Sequence, residues 1–219
     1  MSERREGGYV LEKIVVIGGG GHARVLISVL LRLRWDVVGY TDVEDRGIIL
    51  GVSHVGDDTT LPALLSTHDR CAAVIGVGTV DVSPLRIQLQ ERVEAVGFVV
   101  PVVVSPRAVV NAEVAFGTGT VVFDGAVVNS GTGTGRGCII NTNSTVEHDC
   151  RLGDNVHVAT GATVCGGVTL GHNCMIGAGA TIVQGVHVCD DCLVGAGAIV
   201  THDLTMAGTY FGLPAERVR

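Results

Sequence analysis

LGDNVHVATGATVCGGVTLGHNCMIGAGATIVQGVHVCDDCLVGAGAIV, residues Leu152 to Val200, decides the fold. Every sixth residue from Leu152 is aliphatic: Val158, Val164, Leu170, Ile176, Ile182, Val188, Val194 and Val200. The same frame runs back without a slip to Val104, giving seventeen positions of which fifteen are aliphatic, with Phe116 and Thr134 the others. Four residues after each comes a smaller side chain, among them Ala108, Thr120, Ala126, Cys138, Ser144, Cys150, Ala162, Cys174, Ala180, Cys192 and Ala198. Glycine recurs directly after the aliphatic at Gly117, Gly135, Gly153, Gly171, Gly177 and Gly195. One large and one small inward position every six residues is the pattern of a parallel β-helix built from hexapeptide repeats. Each hexapeptide supplies a short strand and a corner, and three close one coil, so the run holds a little over five coils.

The composition agrees. Of 219 residues, 32 are glycine and only 4% are aromatic, while 47% are hydrophobic, so the core is aliphatic and the corners are many. A net charge of −7 excludes a nucleic-acid binder that works by neutralising phosphates. The longest apolar stretch, Val96 to Val104, contains a glycine and a proline and falls short of the roughly 18 residues of a membrane span. MSERREGGYV at the N-terminus has no apolar signal region, and seven cysteines are an odd number, so free thiols and a cytoplasmic location are expected. Cys138, Cys150, Cys174 and Cys192 occupy the small inward slot and read as core residues. A zinc site at Cys189 and Cys192 lacks a second pair at a suitable distance, and no metal is expected.

Residues 1–100 follow a different pattern, and the boundary with 101–219 falls where the six-residue period begins. Ile14 to Ile17 reads as a strand, Gly18 to Gly21 as a turn, and Ala23 to Arg34 as a helix with Val25, Val29, Leu30 and Leu33 on one face. Strands at Val37 to Tyr40 and Ala72 to Ile75 and a helix from about Ser83 to Val96 complete a small α/β, Rossmann-like βαβ domain. Its glycine turn suits a phosphate or nucleotide, since the backbone can approach closely and the helix offers unpaired N–H groups. Gly18-x-Gly20-x-x-Ala23 with Asp42 satisfies the loose dinucleotide fingerprint, but the domain is short and His22 is planted in the turn. The competing reading is a plain strand-to-helix corner.

Within the repeat, Asn141 to Cys150 (NTNSTVEHDC) stands out because flat solenoid faces need no such polar cluster. His148 occupies a slot that does not point inward, and carboxylates flank it. A carboxylate that accepts from one ring nitrogen fixes the tautomer and leaves the other nitrogen free as a base. His157 follows nine residues later, about half a coil on. His54, His68, His172, His187 and His202 are expected at exposed corners or loops. No H-x-x-x-x-H pair of the kind that holds metal in β-helical carbonic anhydrases occurs.

The motifs IVVIGGGGHARV, GYTD, IGVG, INTNSTVEHDC and LGDNVHVATGATVCGGVTLG together resemble the NeuD/PglD-type family of sugar acyltransferases over about Lys13 to Pro214. That resemblance implies a sugar-nucleotide domain followed by a left-handed parallel β-helix that uses acetyl-CoA, assembled as a homotrimer with active sites between subunits. It implies His148 as general base and Asp149 as the acid that raises its basicity. It places His157 at the acetyl-CoA thioester, Gly166 and Ala178 at backbone contacts with that cofactor, and Gly20, Gly21, His22, Asp42 and Gly76 in the sugar-nucleotide pocket. The expected reaction is N-acetylation of a nucleotide-linked amino sugar by direct attack, with a UDP-linked 4-amino-4,6-dideoxy hexose leading. GDP-perosamine, O-acetylation of a sialic acid, and a non-catalytic nucleotide-binding trimer stay as alternatives. A covalent route through Cys165 or Cys150 is disfavoured, since Cys150 points inward and Cys165 has no adjacent base in sequence.

Overall fold

The computed structural model describes residues 13–68 and 70–218. The MSERREGGYV segment, on which the expectation about secretion rests, and Arg219 lie outside the described residues. Six elements and a short turn precede the repeat: β1 (Lys13–Ile17), α1 (Gly21–Arg32), β2 (Asp36–Thr41), a 3₁₀ turn (Asp58–Thr60) running into α2 (Leu61–Thr67), β3 (Ala72–Ile75) and α3 (Leu85–Val96). The three strands form a parallel sheet in the order β2-β1-β3. Parallel strands are covered on both faces and therefore read as continuous apolar runs. Ile14 and Val16 pack with Leu26 and Leu30 of α1, while Val15 and Ile17 pack with Leu61, Leu89 and Val93 of α2 and α3.

Helix α1 starts at Gly21, two residues earlier than the sequence suggests, and buries Ala23, Leu26, Ile27, Val29 and Leu30. Val25, expected on the inner face, is exposed. It lies one turn after His22, on the side of the helix that borders an open cleft rather than the core. Similarly His54 is half-buried rather than at an exposed corner, because its Nε2 bonds the Asp42 carbonyl at 2.9 Å and its ring lies against Tyr40.

From Val103 the chain winds as a β-helix with three sheets of stacked parallel strands. Equivalent strands are eighteen residues apart, as in Val121↔Ile139, Ile139↔His157 and His157↔Met175 on the first face. The predicted aliphatic series from Val122 to Val200 and the four inward cysteines form one buried stack, with the hydroxyl of Thr134 the polar interruption.

Two glycine columns have different causes. Glycines directly after the aliphatic are packed between coils: a Cβ on Gly117 would lie 2.3 Å from the Gly135 carbonyl oxygen. Residues three after the aliphatic have positive φ at every corner from Glu113 to Gly197. These are glycines except for Glu113, Asn143, Asp149, Asn155, Asn173 and Asp191, the residue types that tolerate this conformation apart from the glutamate.

The last coil is closed by the C-terminal segment, where Gly208–Phe211 pairs parallel with Cys192–Val194 and antiparallel with Glu216–Arg217. The two parts of the chain share a core, since Val121, Phe123 and Ile139 of the first face pack with α1 and the sheet. Among the described residues no helix is long and apolar enough to cross a membrane.

Candidate active site

The shared core brings the glycine turn over the first corner of the solenoid and leaves a cleft of about 670 Å³ between them. Gly20, Gly21, His22, Asp42 and Gly76 line it from one side, and Thr142, His157 and Thr160 from the other. Six of the ten residues singled out in the sequence thus meet in one place.

The glycines of the turn separate into two kinds. A Cβ on Gly19 would lie 2.5 Å from the Tyr40 ring, and one on Gly76 would lie 2.7 Å from Val16 and 2.9 Å from Ala23. Those positions are demanded by packing. Gly20 and Gly21 have nothing within 4 Å of the same point, and neither needs a left-handed backbone. Their missing side chains open onto the cleft, where α1 begins without a side-chain cap.

Asp42 joins this turn to the loop after β2, as its carboxylate accepts from Gly19 N–H at 2.8 Å and Glu44 N–H at 3.1 Å. Burial raises its pKa, but these N–H groups and the Arg46 guanidinium outweigh that, holding it below the usual carboxylate range. His22 packs edge-on against Phe123 with centroids 5.2 Å apart. Its Nε2 is buried with no hydrogen-bond partner among the described residues. Burial, with the charges of Arg86 and His157 adding, pushes its pKa down to about 3, so the ring is neutral.

His157 is buried on the cleft floor with both nitrogens engaged. Nδ1–H donates to the Thr79 carbonyl at 3.0 Å, and Nε2 accepts from the Asn141 amide at 3.0 Å. Burial brings its pKa down to about 4, against the Thr79 bond and with help from Arg86. In this tautomer Nε2 is an acceptor and the one N–H is given to Thr79, so the ring has no free N–H to offer a thioester oxygen. The sequence reading quoted Asn141 only as the first residue of NTNSTVEHDC and did not single out Thr79, and their pairing with His157 across 16 and 78 residues has no signal in spacing.

His148 and Asp149 stand elsewhere. Thr142, Thr160 and Ala178 recur every eighteen residues on the corner that borders the cleft, while His148 and Gly166 recur on the next corner. His148 is exposed, and its Nδ1–H donates to Asp149 Oδ2 at 2.9 Å, because a carboxylate can only accept. The lone pair of Nε2 is left free. Gly166 lies directly beneath: a Cβ there would be 2.5 Å from Nε2, so glycine makes room for the ring. Ala178 is exposed on its corner. The arrangement offers a proton acceptor of fixed tautomer on one corner and a ligand cleft on another.

The cysteines offer little chemistry. Cys150 is fully buried, and burial raises its thiol pKa. Cys189 and Cys192 lie 3.6 Å apart through sulfur, without a third ligand within reach among the described residues.

Comparison with known proteins matches residues 13–93 to the PglD N-terminal domain. Residues 131–166 match the bacterial transferase hexapeptide (six repeats), and 167–202 the hexapeptide repeat of succinyl-transferase. Among solved structures, the acetyltransferase domain of PglB from Neisseria gonorrhoeae FA1090 is 32% identical, with a TM-score of 0.88 over 94% of this chain and 100% of that one. The same domain has been solved in complex with acetyl coenzyme A, with a TM-score of 0.87. PerB from Caulobacter crescentus, in complex with CoA and GDP-perosamine, is 34% identical over 96% of this chain and 99% of that one, with a TM-score of 0.88. A search of curated protein sequences finds no match.

Proposed function

The chain belongs to the NeuD/PglD-type sugar acyltransferases, and we propose that it transfers the acetyl group of acetyl-CoA to the amine of a nucleotide-linked sugar. The observation that carries this reading is the open space at Gly20 and Gly21, where packing asks for no glycine and the cleft does. A phosphate fits there, close to backbone N–H groups at the start of α1. The sugar is a 4-amino-4,6-dideoxy hexose carried on UDP. A second reading, GDP-perosamine, is favoured by the ligand of the Caulobacter enzyme.

Because His148 stands on a corner other than the cleft's, the site needs a second subunit. A homotrimer lays the His148 corner of one subunit against the cleft of its neighbour. The neutral amine attacks the acetyl carbonyl, and His148 Nε2 takes the proton as the C–N bond forms. The C–S bond then breaks, and His148 returns the proton to the leaving thiolate. Proton transfer of this kind contributes roughly 10²–10⁴-fold. Asp149 holds the tautomer and stabilises the imidazolium. Gly166 and Ala178 present backbone along the two corners where coenzyme A would lie, and His157 stands at the thioester end with Nε2 as a hydrogen-bond acceptor. Asp42 keeps the glycine turn in shape for the nucleotide.

Ligand-induced thermal stabilisation tests the class of ligand. Coenzyme A at 100 times its Kd stabilises by about 2.7 kcal/mol. A rise in Tm with coenzyme A and none with NAD supports the reading. Stabilisation by NAD alone contradicts it.

A further inference from the structure

Residues 76–80, Gly-Val-Gly-Thr-Val, leave the end of β3 and form one wall of the cleft. Two of their carbonyls accept hydrogen bonds from buried side chains. The Val77 carbonyl accepts from Arg86 Nη1 at 3.0 Å, and the Thr79 carbonyl from His157 Nδ1 at 3.0 Å.

Arg86 lies in the first turn of α3, is 1% exposed and is the one fully buried cation among the described residues. It has no carboxylate partner among them. Its remaining hydrogen bonds go to the carbonyls of Ile75 (2.6 Å), Gly137 (2.9 Å) and Gly119 (3.1 Å), so it joins β3 and its loop to two coils of the solenoid. A charge buried without a counter-ion is expensive, and packing alone does not call for one.

A planar trans peptide points its N–H opposite to its C=O. Holding the Val77 and Thr79 carbonyls on Arg86 and His157 therefore turns the Gly78 and Val80 N–H groups away from those two side chains, in a loop whose residues line the cleft. Neither N–H has a hydrogen-bond partner among the described residues, whereas the next one, Asp81 N–H, bonds Thr79 Oγ1. No lysine or arginine side chain lines the cleft. Anion recognition there falls to backbone donors, and the uncompensated guanidinium sits behind the loop that carries them.

We propose that Arg86 is a positioning residue for the substrate's diphosphate, aiming the Gly78 and Val80 N–H groups so that they face the N-terminus of α1 across the cleft. This rests on the substrate reading given above. The phosphates are then bound between two rows of backbone donors, with His157 fixing the second row from the solenoid side.

The test is calorimetric titration of UDP, GDP and dTDP, each beside its neutral nucleoside, into the unaltered protein, Arg86→Lys and Arg86→Gln. Whichever diphosphate binds the unaltered protein loses about tenfold or more in affinity in both variants, while its nucleoside stays within about threefold. Amide spectra of the unaltered, 15N-labelled protein give a second readout that does not depend on the variants folding. The Gly78 and Val80 amide protons move downfield with the diphosphate and not with the nucleoside. Equal losses for diphosphate and nucleoside, full affinity in Arg86→Lys, or unmoved Gly78 and Val80 amides would each overturn the proposal alone. No binding of any nucleotide by the unaltered protein overturns the substrate reading, and this proposal with it.

Discussion

Asp149 answers two demands at once. It occupies a corner with φ of 59°, where glycine, asparagine and aspartate recur, and it accepts the Nδ1–H of His148 at 2.9 Å. Asn143, Asn155 and Asn173 hold the same backbone conformation at other corners, so Asp149→Asn keeps the turn and removes only the carboxylate. Its Tm stays put while kcat falls on the order of tenfold or more, measured with saturating substrates. A fall in Tm with kcat intact would make Asp149 a turn residue only. Gly21→Ala makes the complementary point at the cleft. Alanine is favoured over glycine inside a helix by about 1 kcal/mol, and nothing lies within 4 Å of the new Cβ, so stability holds or rises. The KM for the nucleotide sugar nevertheless rises about tenfold, because the methyl group fills ligand space. The same substitution at Gly76 strikes Val16 and Ala23 and lowers Tm. In the sequence both glycines read alike, as parts of the sugar-nucleotide pocket that the family resemblance implies. What separates them is which neighbours the fold brings to each, and that is a tertiary fact.

At the level of elements, the aliphatic column was readable because one constraint, stacking along a common axis, acts on every coil in the same way. The corner column was harder to see. Its constraint is a backbone angle that three residue types satisfy, so no single letter recurs. Glu113 is the exception in that column, with φ of 62° and no special tolerance for it. Replacing it by glycine relieves a left-handed conformation worth roughly 1–2 kcal/mol, so the Tm of Glu113→Gly rises. An unchanged or lower Tm would mean that the glutamate side chain contributes as much as the angle costs. Helix α1 shows the other limit of periodicity. Val25 fits the apolar face by spacing, yet the face borders the cleft at that turn, and no spacing rule contains the position of the solenoid.

For the whole molecule, the buried histidines link stability to pH. His22 and His157 have folded pKa values of about 3 and about 4, against 6.5 in an unfolded chain. Between those limits the unfolded chain binds more protons, so stability is complete above about pH 6.5 and falls as the pH drops. Each group removes roughly 2 kcal/mol by pH 5. Thermal melts from pH 7.5 to 5 should show that decline, with a flatter slope in His157→Gln. A pH-independent Tm would contradict the neutral, buried state of both rings. Assembly is a separate matter. Nothing in a single chain's sequence says which corner faces which cleft, and His148 stands apart from the cleft in one subunit. If sites form between subunits, mixing inactive His148→Ala chains with chains disabled at Gly20 restores part of the activity after refolding together. No restoration at any mixing ratio would place His148 and the cleft in the same subunit.

The most direct measurement is product mass after incubating the protein with acetyl-CoA and a panel of UDP-, GDP- and CMP-linked sugars, beside His148→Ala. Mass detection avoids the seven protein thiols, which would contaminate a thiol dye. The expected result is one added acetyl group on a 4-amino sugar, abolished in His148→Ala while that variant melts normally. Acetylation of no amino sugar in the panel, or full activity without the His148 imidazole, would contradict the account.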